Sequence, residues 1–111
     1  MTDISTLLEE LEKGGLDERL CRLGCLETGK APEGARSRIK RAVAGFQEAF
    51  HPQDGQEVAV LSAPGRTEIC GNHTDHQRGR GLAASGNLDF LSCPSPNQSS
   101  VIRFQSEGWP M

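Results

Sequence analysis

The apolar residues of this chain change their repeat once, at "HPQDGQ", His51 to Gln56. Upstream they recur at helical spacing. In "ARSRIKRAVAGFQEAF" the residues Ile39, Ala42, Val43, Phe46, Ala49 and Phe50 fall on one face, and His51-Pro52 closes the helix. Downstream the repeat shortens to two. "EVAVLSA" places Val58 and Val60 on one side of a strand, and "VIRFQS" alternates Ile102 and Phe104 against Arg103 and Gln105. A helical lead over residues 1–51 followed by a β-rich block over 57–106 is an α+β arrangement, one domain or a piece of one.

Within the lead, "TDISTLLEELEKGG" reads as a short helix. Thr6 and Glu9 have capping-box spacing, Leu7, Leu8 and Leu11 line one side, and Gly14-Gly15 stops it. "LDERLCRLG" restarts with Asp17 as N-cap and Leu16, Leu20 and Leu23 at helical spacing. The third helix carries Arg36, Arg38, Lys40 and Arg41 opposite its apolar face, read as a solvated stripe and not as an anion site. "TEIC" is a second brief strand, Gly71 to Gly81 a polar loop, and "LAASGNLDFLSC" a return to apolar character. Gly86 inside that run weakens it as a strand.

Charge and hydropathy exclude several partners. A net charge of -3 is the wrong sign for general nucleic-acid binding. No window reaches the roughly 18 apolar residues of a membrane helix. The acidic start "MTDISTLLEELEKGG" is not a signal peptide, so the expected location is cytoplasmic. Cys21, Cys25, Cys70 and Cys93 are then expected to be reduced and half-buried.

The chemistry concentrates in "APGRTEICGNHTDHQRG", Ala63 to Gly79, which sets Arg66, Asn72, His73, Asp75 and His76 between glycines. Three ligands suit such a stretch. Zinc needs four thiolate or imidazole ligands, usually as two close pairs. Beside Cys70, His73 and His76 the near pair Cys21 and Cys25 sits within a helix, and no second CxxC or HxxxH completes the set. Cys21 and Cys25 are better read as helix-packing residues and Cys70 as a strand residue. A phosphate needs a cradle of backbone N–H groups; "GRGLAAS", Gly79 to Ser85, has the small residues but not the Gly-Lys-Ser/Thr ending of a P-loop. A hexose needs rigid groups that take two hydroxyls at once. A carboxylate, an amide, an imidazole and a guanidinium supply that, which points to Arg66, Asn72, His73 and Asp75.

The order of these residues carries a further signal. "GRTEICGNHTDHQRG", with "LSAPGR" before it and "LAASGNLD" after it, resembles the first signature of galactokinases, members of the GHMP small-molecule kinase superfamily. The resemblance is firmest from Ser62 to Asp89. It implies the N-terminal part of a GHMP-kinase-like domain that binds galactose or a related hexose. It also implies sugar contacts at Arg66, Asn72, His73 and Asp75, with Arg66 in a catalytic role beside the anomeric hydroxyl that accepts phosphate. Asn72 stands where many galactokinases have Glu, and His76 replaces the common Tyr. In the full-length family ATP and Mg are bound by later parts, so the expectation is a truncated relative that binds neither and is inactive alone. A non-catalytic sugar-sensing module and a small zinc-binding domain are the alternatives.

Overall fold

The computed structural model describes residues 1–23, 32–71, 76 and 78–109. Its elements follow as β1 (Thr2–Asp3), α1 (Ile4–Lys13), α2 (Asp17–Leu23), α3 (Glu33–Phe50), β2 (Glu57–Val58), β3 (Leu61–Cys70) and β4 (Leu82–Ser92). Helices thus precede antiparallel strands, the α+β order expected from the change of period.

Helix α1 begins at Ile4, with Asp3 in extended conformation before it. Thr6 therefore lies inside the first turn and is not the N-cap; its hydroxyl donates back to the Asp3 carboxylate at 3.4 Å. The end is as the glycines require. Gly14 takes φ 78°, a left-handed conformation that costs glycine least, and the Gly15 N–H donates to Glu10 O at 3.0 Å. Asp17 opens α2, but its carboxylate receives the Arg36 guanidinium, with Arg36 Nε to Oδ1 at 2.8 Å. Helix α3 starts two residues before the expected Ala35 and closes at His51, whose N–H donates to Gln47 O at 3.0 Å.

Ile4 and Leu11 of α1, Ile39 and Val43 of α3 and Val58 of β2 form the core, with Leu7, Leu8, Leu16, Leu20, Phe46, Val60, Leu91 and Cys93 against it. Strand β1 brings the start of α1 onto β2, with Thr2 opposite Val58 and Asp3 opposite Glu57. The charged stripe of α3 is largely solvent-facing, as expected, with Arg38, Lys40 and Arg41 exposed and Arg36 half-buried, and each cation has an acidic partner. Arg36 pairs with Asp17, Arg38 with Asp89, Lys40 with Glu12 at 3.4 Å and Arg41 with Glu107 at 2.9 Å, four acids from four separate parts of the chain. Sequence spacing along one helix does not reveal acids that arrive from elsewhere.

Strands β3 and β4 form a two-stranded antiparallel ribbon. The two short strands expected at "EVAVLSA" and "TEIC" resolve differently: Glu57–Val58 pairs with β1, and one ten-residue strand runs from Leu61 to Cys70. Pro64 and Gly65 do not break it, because in a two-stranded ribbon every strand has a free edge and tolerates a missing N–H. "VIRFQS" is not a strand. Among the described residues it has no ladder partner, and Val101, Ile102 and Phe104 stay 59%, 93% and 66% exposed. Alternation marks a chain suited to a sheet but does not supply the neighbour.

Among the described residues, the base of the ribbon touches the helical layer through Leu91, Asp89 and the adjoining Cys93. Its remainder stands clear, and the accessible surface is correspondingly large. At 12.0 kDa a compact monomer exposes about 6,000 Å², against 8980 Å² here.

The core analysis predicts opposite signs for two helix substitutions. Leu11→Ala, which empties a fully buried position, lowers the unfolding free energy by about 2–5 kcal/mol. Gly45→Ala, exposed within α3 with nothing within 4 Å of the added Cβ, raises it by roughly 0.5–1 kcal/mol. Urea titrations followed by circular dichroism measure both.

Candidate functional site: a hairpin tip above a glycine neck

The polar loop is the tip of the β3–β4 hairpin. Of the residues expected to contact sugar, Arg66 is on β3, exposed and opposite Ser85. Asn72, His73 and Asp75 lie outside the described residues. His76 is exposed in a short 3-10 turn. Arg66 is thus held by a strand ladder; the other three candidates follow it in the sequence between β3 and β4.

Two irregularities bracket Arg66. Pro64 is opposite Asp89 but Arg66 is opposite Ser85, so Gly86, Asn87 and Leu88 stand against Gly65 alone. The two surplus residues form a bulge; a Cβ on Gly86 would lie 3.5 Å from Gly65 O, an ordinary contact, so the bulge does not itself demand glycine there. An even surplus preserves alternation, so Ser62, Pro64, Arg66, Ser85, Asp89 and Leu91 keep one face. Further out, Glu68 is opposite Ala83 and Cys70 opposite Leu82, leaving Ile69 without an opposite residue.

The loop then closes at a neck. Gly71 has φ 86°, and a Cβ there would lie 2.6 Å from Arg80 O and 2.8 Å from Gly81 Cα. Those partners are backbone and cannot swing aside. Glycine at 71 is therefore a steric requirement of bringing the two arms of the loop together.

Asp89 ties this ribbon to α3. Its carboxylate accepts from the Ser62 hydroxyl and from Arg38 Nη1, while Arg38 Nη2 donates to Asp89 O at 3.2 Å. The Ser62 hydrogen bond and then the Arg38 guanidinium hold the Asp89 carboxyl below the usual carboxylate range. Neither Asp89 nor Ser62 was a candidate on sequence grounds; the acidic residue ending "LAASGNLD" was the only hint.

Metal chemistry gains no support here. Cys21 is buried in α2, Cys70 is exposed at the end of β3 and Cys93 is half-buried, so the expectation of uniformly half-buried thiols fails at Cys70 and Cys21. Burial pushes the Cys93 thiol up, which keeps it protonated at neutral pH. No group of three or more His, Cys, Asp or Glu is placed to hold a metal among the described residues. Cys25 lies outside them. Leu82 to Ser85, the end of "GRGLAAS", are strand residues laddered to β3. Among the described residues, no helix is long and apolar enough to cross a membrane.

Two outcomes test this geometry. A lowered folded-state pKa means the Asp89 contribution is fully present above the unfolded value near pH ~3.9, and it is lost as pH falls through the lower folded value. Wild-type stability therefore drops below about pH 4 more steeply than that of Asp89→Asn, measured by urea titration at successive pH values. Gly71→Ala, forced into left-handed backbone, loses at least about 1–2 kcal/mol, together with any ligand binding at the tip; amide exchange at Arg80 and Gly81 reports the opened neck.

Residues 44–96 match the family model described as the galactokinase galactose-binding signature. Comparison with curated proteins and with solved structures gave no match. The matched span runs from the last turns of α3 through β2 and both ribbon strands, and in sequence it includes Arg66, Asn72, His73, Asp75 and His76. Through residues 44–96 this chain is similar to the galactose-binding signature of galactokinases.

Proposed function

We propose that the chain supplies the sugar-binding part of an ATP-dependent kinase that phosphorylates galactose at its anomeric hydroxyl. The observation that carries this is the position of the signature: it covers the whole β3–β4 hairpin, whose ladder holds Arg66, and Asn72, His73 and Asp75 fall within it in sequence. Asp75 accepts from two neighbouring ring hydroxyls, and Asn72 and His73 each donate or accept. Arg66 neutralises charge at the anomeric oxygen as its proton leaves.

No nucleotide role is assigned to the described residues of this chain. Leu82 to Ser85, the end of the one run of small residues resembling a phosphate loop, ladder to β3, and that run lacks the lysine and hydroxyl of a P-loop. ATP and Mg belong, on this reading, to other parts of a complete kinase, and no step through them is assigned to these residues.

Titration calorimetry separates the two halves. Galactose gives a saturable heat with the wild-type chain, and Asp75→Ala weakens it on the order of 100-fold, as expected for two hydrogen bonds to one charged acceptor. ATP alone gives none. Heat with ATP and none with galactose contradicts the proposal.

A further inference from the structure

Arg66 and Glu68 are two apart on β3 and share a face, about 7 Å from one another along the strand. The residues opposite them are Ser85 and Ala83, so the floor between the two charged groups is low and carries no bulky side chain. Glu68 is half-buried although Arg66, Thr67 and Ile69 beside it are exposed. Its side chain reaches across to the far arm of the loop: a Cβ on Gly81 would lie 3.3 Å from Glu68 Oε1. This carboxylate is therefore at the neck through which the tip is joined to the ladder. Between Ile69 and Gly81 the sequence has a single acid, Asp75, and position 72 is a neutral amide. One carboxylate on the tip leaves much of a hexose's ring of donors unserved.

We propose that Glu68 is a further sugar-binding residue, its carboxylate at the Gly81 neck accepting from a galactose hydroxyl on the side of the ring served by Arg66. The inference rests on the galactose reading above and adds a residue and a direction to it. The absence of a Cβ at Gly81 is part of the same device, since it leaves the Glu68 carboxylate room at the neck.

The test uses the whole chain and titrates galactose and its monodeoxy analogues against wild type, Asp75→Ala, Glu68→Gln, Gly81→Ala and the Glu68→Gln/Gly81→Ala double variant. Glu68→Gln preserves shape and removes charge. It lowers galactose affinity about tenfold with an unchanged thermal midpoint. For one monodeoxygalactose, the one lacking the contacted hydroxyl, wild type and Glu68→Gln bind alike, a result that a merely structural role for Glu68 does not give. Gly81→Ala, which displaces the carboxylate without altering any charge, produces a similar loss and adds little in the Glu68→Gln background. Galactose binding that is abolished by Asp75→Ala but unchanged by Glu68→Gln and Gly81→Ala overturns this proposal alone. A wild-type chain that binds no galactose overturns the sugar reading with it.

Discussion

Everything proposed for the tip depends on how the ribbon is fixed to the helical layer, and Asp89 is where that happens. Two carboxylate oxygens take two donors, Ser62 from the neighbouring strand and Arg38 from α3. A partly exposed pair of this kind is worth roughly 0–1 kcal/mol, so the energy of attachment comes mainly from Leu91 and Cys93 against the core. What the carboxylate adds is direction. It fixes which face of the ribbon meets α3, and alternation then carries that choice past the bulge to Arg66. A two-stranded ribbon alone is marginal in water; one pinned at its base has a defined orientation from which a loop can be presented.

Much of this was legible from residue spacing. The apolar face of α3, its closure at His51-Pro52 and the stop of α1 at Gly14-Gly15 follow from local rules, and each is present. The failures share a cause, which is that they depend on partners distant in sequence. Pro64 and Gly65 look like strand breakers until β4 lies on one side only. "VIRFQS" has strand alternation and no neighbouring strand among the described residues. The cations of α3 are solvated as their spacing suggests, but their partners Asp17, Glu12, Asp89 and Glu107 come from elsewhere in the chain. Thr6 shows a subtler case: the capping-box spacing is real, but Asp3 one turn earlier takes the position before the helix.

The candidate site divides along the same line. The types and order of Arg66, Asn72, His73 and Asp75 were readable because sugar chemistry demands convergent hydrogen-bonding groups and because the signature orders them. The devices that hold them were not. The bulge at Gly86, the odd residue Ile69 and the backbone crossing at Gly71 are consequences of register, which a single sequence does not state. They matter because a neutral, strongly hydrated ligand repays little per contact, so a loop that must be ordered on binding loses most of its affinity.

The central claim is that the hairpin tip grips a hexose, and backbone amide spectra of the isotope-labelled chain during galactose addition test it most directly. The account predicts saturable shifts at Arg66 and across residues 71–81, with α1 and the core face of α3 unmoved. Shifts confined to the helical layer, or an unchanged spectrum at saturating sugar, contradict it.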